Sequence, residues 1–229
     1  IAMAAVNAAA AVLGLVASLA KGILASGGFR ERAIIAFDAL SKGAKTGAAD
    51  LAKVRQLAFE MGAPFEDTAE SIMKLRKMGF AAAEAENLFK SMQDMRGVGA
   101  TMEETKRAIV AITQIKSAGK LQGDELNQLA EAGVGASEVY KQLGKILGKT
   151  VPEVIKMKEA GKIDSDTAIK GIMAAIAETT GSKKPGELGK KIANETLGGL
   201  LEKLKNFGGI AMDTIAEKVA PAFMKLKPI

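Results

Sequence analysis

The chain contains no cysteine, histidine or tryptophan, and aromatic residues make up only 4% of its 229 positions. The absence of cysteine excludes a disulfide framework and thiolate metal ligands. Histidine is the commonest general base and metal ligand, so its absence excludes Ser-His-Asp and Cys-His catalysis within the chain. Carboxylate chemistry remains, but no carboxylate pair stands out in an apolar or aromatic pocket. We therefore expect a protein that is not an enzyme, with no catalytic residues, cofactor or metal ion.

The chain is instead rich in alanine, lysine, glutamate and leucine, and it has only 5 prolines. This composition predicts an all-α fold of multiple short helices joined by glycine-capped turns, packed closely through small residues. We expect three parts. They are an Ala-rich apolar helical segment over 1–28, a helical domain over 29–186, and a longer C-terminal amphipathic helix and exit over 187–229.

The net charge of +6 is compatible with nucleic acid or anionic lipid as a partner. Most lysines, however, alternate with glutamates at helical spacing, as in the pairs Glu138/Lys141 and Glu202/Lys205. Such pairs are typical of solvated helix faces. The basic residues have no aromatic platform beside them, so we expect no stacking of nucleic-acid bases.

Residues 1–26 form a separate apolar block in which Lys21 is the only charged residue. Its length fits a membrane span, and Gly14, Ser18 and Gly22 recur every four residues, which allows close helix–helix approach. Two interpretations stay open: a segment that enters a membrane, and an Ala-rich helix buried among neighbours. Because the sequence begins at Ile1 without an initiator methionine, we expect it to belong to a longer protein.

Hydrophobic periodicity predicts a series of helices after a break at Gly27-Gly28. Thr101 with Glu104 and Thr150 with Glu153 match the capping box of a helix start. Polar or glycine-containing links are expected at 42–47, 97–99 and 181–186. The predicted helices cover 29–40, 48–61, 66 or 67 to 79, 81–95, 101–119, 124–132, 136–147, 150–161 and 164 or 165 to 176.

The last predicted helix starts at Glu187, with interruptions possible at Gly198-Gly199 and Gly208-Gly209. It carries a heptad-like seam, suited to a partner helix, a coiled coil or packing within its own domain. The seam consists of Leu197, Leu201, Leu204, Gly208, Ala211 and Ile215.

The run from Gly119 to Val134 is the most distinctive part of the chain. A helix ends at glycine, a short apolar link follows, and a second helix begins on an acidic turn. We expect Asp124, Glu125 and Glu131 to cap and solvate this helical hairpin. Residues 160–163 repeat the Ala-Gly-Lys-aliphatic pattern of residues 118–121, and in both copies the glycine suits a left-handed helix end.

The residue pattern of this run resembles the most recurrent signature of the tape measure proteins of tailed phages. In that family, Gly-Lys-Leu leads to an acidic helix of the form Glu-Leu-x-Gln-Leu-x-Glu-Ala-Gly. Further segments match the family in the same order, between about residues 29 and 226, and two departures are Asn206 and Glu202. The matching segments are 29–40, 63–66, 75–79, 156–163, 196–206 and 220–223.

The resemblance implies a structural component of a phage tail that sets tail length, lies in the tube or tip, and assists DNA delivery across the host envelope. The implied partners are tail tube and tip or baseplate proteins, other copies of the chain as a trimer, the host membrane during infection, and nearby phage DNA without specific binding. The implied location is the virion tail, after assembly in the host cytoplasm. The alternative is a membrane-active, pore-forming helical protein that uses residues 1–26.

Overall fold

The computed structural model describes residues 27–208, and within them the chain is α-helical. The predicted all-α fold is therefore confirmed. Two compact units can be distinguished within the described residues: 27–51 with 204–208, and 52–203. The α-helices are α1 (27–40), α2 (Gly47–Met61), α3 (Phe65–Lys77), α4 (Ala82–Asp94), α5 (Met102–Ala118), α6 (Gly123–Glu131), α7 (Ala136–Leu147), α8 (Val151–Glu159), α9 (Ser165–Thr180), α10 (Glu187–Glu195) and α11 (197–208).

The smaller unit contains α1 and the start of α2, joined by a polar link. The amide of Gly47 donates to the Asp38 carboxylate over 2.7 Å, and the Ser41 hydroxyl donates to Asp50 over 3.1 Å. A Cβ at Gly47 would lie 2.2 Å from the carbonyl oxygen of Ile34, so only glycine fits there. The predicted link between the first two helices is thus a tight turn held by two aspartates.

The larger unit is built around α4, α5 and α9, whose apolar faces are buried together. α7 packs against α9 at a very short distance, because a Cβ at Gly171 would lie 2.6 Å from the Cγ of Leu143. At this contact the helices pack through a small residue, as expected, although most of the core consists of larger side chains. The core side chains, all at most 7% exposed, include Leu88, Phe89, Met92, Met95, Ile109, Ile112, Ile115, Leu143, Ile169, Ile172 and Ile176.

Both predicted capping boxes have their carboxylate in place. The Thr101 amide donates to Glu104 over 2.7 Å, and the Thr150 amide donates to Glu153 over 2.8 Å. These bonds lower the pKa of both glutamates below their usual range. The caps fix where α5 and α8 begin, and therefore fix the chain direction after the preceding turns.

Several predicted helix boundaries differ from the structure, and the largest difference is the end of α9, which continues to Thr180 and not to 176. α1 already includes residues 27 and 28, so the predicted helix start at residue 29 is wrong. α3 begins at Phe65 and not at 66 or 67, because the Pro64 carbonyl already accepts from the Thr68 amide over 3.0 Å. The predicted link at 97–99 begins instead as a 3-10 turn over Met95–Val98, which ends at Gly99 with φ +108°.

The predicted long C-terminal helix is divided at Thr196, and not at Gly198-Gly199. Thr196 has an extended backbone, and its hydroxyl accepts from the Gly199 amide over 3.0 Å, so it caps the start of α11. A Cβ at Gly199 would lie 2.4 Å from the carbonyl oxygen of Ile192, so glycine is required where α10 and α11 meet. The possible interruption at Gly208-Gly209 extends beyond the described residues, as does the apolar block over 1–26.

Candidate functional sites

The two repeated glycine turns lie next to each other. Gly119 ends α5 with φ +72°, and Gly161 follows α8 with φ +63°. The Leu121 amide donates to the Ile163 carbonyl over 2.9 Å, and the Ser165 amide donates to the Gly119 carbonyl over 3.0 Å. These bonds form a short antiparallel bridge between the two segments. The sequence repetition predicted two similar turns, but not that they pair.

The paired turns serve packing on one side and face solvent on the other. Leu121 and Ile163, the aliphatic residues after each Gly-Lys, are both only 1% exposed. On the solvent side, Lys120 lies over Gly161, with 3.4 Å between its Nζ and the position of a Cβ on that glycine. A polar groove of about 330 Å³ runs along the turns, lined partly by Lys120, Gln122 and Lys158.

The acidic residues of α6 do not all behave as predicted. Glu131 forms an ion pair with Arg107 at 3.5 Å, and Asp124 is exposed. Glu125, however, is 8% exposed, so it does not solvate the hairpin. It occupies the third position of α6, a short helix that packs against α5. The start of α6 at Gln122 has no side-chain cap, so the predicted capping role is wrong as well. The pattern of acidic and apolar residues did not reveal the burial of Glu125.

A second arrangement, the Asp94 clamp, holds the start of α10. The Asp94 side chain is 1% exposed and accepts from the amides of Gly186 and Gly189, each over 2.8 Å. Asp94 thus caps α10 from 92 residues away along the chain. Burial raises the pKa of Asp94, although the two amide bonds act in the opposite direction. Sequence reasoning missed this residue, because no local pattern connects it to α10.

Arg96, two residues further on, binds the end of α2. Its Nη1 donates to the carbonyls of Met61 and Gly62 over 3.2 and 3.3 Å, and to the Gln93 side chain over 3.2 Å. The C-terminal carbonyls of a helix lack intrahelical partners, so a guanidinium there satisfies them. Through Asp94 and Arg96, the short segment from 93 to 97 therefore binds both the N-terminal end of α10 and the C-terminal end of α2.

A groove among α4, α5 and α9 offers little for catalysis. It has a volume of about 450 Å³. Three of its four charged residues have structural partners: Lys116 pairs with Asp166 and lies 5.2 Å from the Phe80 ring centre, and Glu84 accepts from the Ala81 amide over 2.9 Å. The fourth, Lys170, is exposed. Among residues 27–208, no three acidic side chains are grouped so as to hold a metal ion.

The exposed face of α11 is the most unusual surface of the described chain. Three residues of the predicted seam are largely exposed: Leu197 at 75%, Leu201 at 48% and Leu204 at 67%. Leu200 and Phe207, which were not assigned to the seam, are 46% and 65% exposed. Soluble monomers seldom show so many large apolar side chains together. Ala211 and Ile215, the remaining seam residues, lie outside the described residues.

Among the helices of residues 27–208, none combines the length and apolar character required to cross a membrane. In a comparison with protein families, the family model described as "Tape measure protein" aligns with residues 32–217. Neither the curated proteins nor the solved structures contain a match. The matched interval includes both glycine turns, the Asp94 clamp and α11.

Proposed function

Since the match spans most of its length, the chain belongs to the tape measure protein family of phage tails, and we propose that it helps to set tail length. We further propose that it lies in the tail tube or tip and assists DNA delivery across the host envelope. It is assembled in the host cytoplasm and then remains inside the virion tail.

The exposed face of α11 is the observation that carries this proposal. A tail-length ruler must associate with other subunits along an extended line, and α11 presents unburied leucines at alternating four- and three-residue steps. That spacing matches the a and d positions of a coiled coil. We propose that copies of the chain associate through this face, as a trimer, and that tube and tip or baseplate proteins surround them.

The other partners in the proposal are encountered during delivery. The host membrane is contacted during infection, and phage DNA passes nearby without specific binding. The lack of cysteine and histidine supports a role that does not involve catalysis, since the usual nucleophile–base and metal-ligand sets are missing from the chain. Three of the four charged residues of the groove among α4, α5 and α9 serve as ion-pair or capping groups, which agrees with that role.

Tail length in assembled phage tests the ruler function. Inserting about 40 helix-forming residues outside 27–208 should lengthen the tail by about 60 Å, because an α-helix rises about 1.5 Å per residue. Electron microscopy of purified tails measures the change. Unchanged length, or tails that lack the chain by mass spectrometry, would exclude the proposal.

A pore-forming role through residues 1–26 is the second candidate, supported by the apolar sequence with its single charge at Lys21. It predicts dye release from liposomes by the purified chain. Gly14→Leu or Gly22→Leu should abolish that release if helices pack through those glycines in a bilayer. Absence of dye release at every lipid composition would exclude this candidate.

A further inference from the structure

The corner between α7 and α8 is compact and rigidly built. α7 ends at Leu147, and Gly148 follows with φ +64°. The Lys149 amide donates to the Gly144 carbonyl over 2.9 Å, and a Cβ at Gly144 would lie 2.7 Å from the Lys149 carbonyl oxygen. Val154, which is fully buried, anchors α8 beneath the corner. The residues on the outer side of the corner are therefore held in fixed positions although they are not part of the buried core.

The outer side of this corner is basic. Residues 138–158 contain five lysines and two acidic residues, Glu138 and Glu153. Lys141 and Lys145 are exposed, lie one helical turn apart on α7, and lead to exposed Lys149 at the corner. Lys141 and Lys149 pair with glutamates at 3.4 and 3.8 Å, but exposed pairs of this kind contribute little and leave the lysines accessible.

Glu153 is committed to a structural role as a helix cap. Its carboxylate accepts from the amide and hydroxyl of Thr150, over 2.8 and 2.7 Å. The hydrogen bonds to Thr150 lower the pKa of Glu153, so it remains a capping carboxylate at neutral pH. Glu153 and Glu138, the partner of Lys141, offset two of the five positive charges, and the remaining three keep residues 138–158 net positive.

Apolar side chains are exposed among these lysines. Ile146 is 47% exposed next to Lys145, and Val151 is 37% exposed two residues after Lys149. Large aliphatic side chains beside lysines are typical of surfaces that rest on anionic bilayers, where the lysines meet headgroups and the aliphatic groups enter the interface. Nucleic acid fits less well, because residues 141–158 contain neither an arginine nor an aromatic residue. The nearest aromatic residue in the sequence is Tyr140, just before them.

We propose that the lysine corner, defined as Lys141, Lys145, Ile146, Lys149 and Val151, docks on the surface of a bilayer that carries anionic lipid headgroups. The contact is peripheral and distinct from the apolar segment over 1–26. It deepens the delivery role proposed above and rests on that role for its biological setting. Its test uses purified protein and vesicles alone, so it can fail without affecting the result on tail length.

The experiment compares full-length variants in vesicle co-sedimentation. The vesicles contain phosphatidylcholine either alone or with phosphatidylglycerol. Replacing Lys145→Gln and Lys149→Gln together should weaken binding to the anionic vesicles about 30-fold, since each lysine near such a surface contributes about fivefold. The matched control, Lys74→Gln with Lys77→Gln, removes the same charge from exposed positions on α3 and should leave binding within about twofold.

A second variant tests the apolar part of the contact. Ile146→Ser leaves the charge unchanged and should weaken binding to anionic vesicles about fivefold. Circular dichroism should show wild-type helix content for each variant, since the replaced side chains are exposed. Equal losses in the Lys145/Lys149 and Lys74/Lys77 variants would overturn the proposal, because net charge alone would then explain binding. So would vesicle binding unaffected by the Lys145/Lys149 change while binding to a DNA duplex falls.

Discussion

The helices α5 and α9 are held by apolar burial, whereas α10 is held by polar contacts together with a small apolar contact. α5 buries Ile109, Ile112 and Ile115, each at most 1% exposed. α10 buries only Gly189 and Ala193, and it is attached by the Asp94 clamp, by a 2.9 Å ion pair between Lys190 and Glu60, and by the packing of Leu188 on Gly97. The next helix leaves its leucines outside. We refer to α4, α5 and α9 as the platform. We expect from this comparison that α10 and α11, which follow the platform in the chain, can detach without unfolding it.

The largest effect should come from the platform. Ile112 is fully buried on α5, so Ile112→Ala leaves a cavity and should lower the free energy of unfolding by about 2–5 kcal/mol. Urea unfolding followed by circular dichroism measures this. The matched control is Leu197→Ala on α11, which should change it by less than about 0.5 kcal/mol because Leu197 is 75% exposed. Equal losses would remove the distinction between the two regions.

The second-largest effect on stability should come from Gly97→Ala, next to the Asp94 clamp. A Cβ at Gly97 would lie 2.1 Å from the Leu188 side chain, so Gly97→Ala forces α10 away from the 3-10 turn. We expect a loss of about 1–3 kcal/mol, confined to α10. Hydrogen exchange should show faster amides over 187–195 and unchanged protection in α5. Faster exchange throughout both helices would contradict local detachment.

Asp94→Asn should have a similar or smaller effect. The two carboxylate oxygens accept from different amides, Gly186 at Oδ2 and Gly189 at Oδ1, and asparagine keeps only one acceptor. One amide is left unpaired, at a cost of about 1–3 kcal/mol. Asp166→Asn, on α9 and exposed, is the control. Comparable deprotection of α10 in both variants would show that the clamp does not hold it.

The sequence predicted most of the first region and little of the second, for a physical reason. Periodicity, glycine stops and the Thr101 and Thr150 caps are local patterns, so they predict the helices of the platform. The Asp94–Gly186 bond and the pairing of Gly119 with Ser165 join distant residues, and no local pattern encodes them. Thr196 was overlooked as a cap because the adjacent double glycine was interpreted as the break.

Acidification should change the stability of the two regions in opposite directions. Hydrogen bonds lower the pKa values of Glu104, Glu153 and Asp164, so the stability these caps provide is present above their unfolded pKa values and is lost as pH falls through the folded ones. Burial raises the pKa of Asp94, so its contribution is greatest below the unfolded pKa and falls as pH rises through the folded value.

Hydrogen exchange between neutral pH and the acid range measures both effects, once intrinsic exchange rates are corrected for pH. The first turns of α5, α8 and α9 should lose protection on acidification. The stability difference between wild type and Asp94→Asn should shift in favour of wild type over the same range. A uniform loss of protection, with no change in that difference, would show that the Asp94 carboxylate does not titrate as its burial implies.

The smallest effect on stability should accompany the largest effect on association. Leu197→Ser with Leu201→Ser should change the free energy of unfolding by less than about 0.5 kcal/mol, because both side chains are already in solvent. If α11 forms a coiled-coil seam, the same change should convert an oligomer to a monomer in light scattering after size exclusion, since a and d leucines supply its buried area. Val98→Ser, 49% exposed on the 3-10 turn, is the matched control and should remain oligomeric. An unchanged oligomer in the double variant would mean that the exposed leucines serve a different partner, and the platform would then be the only region whose role the comparison explains.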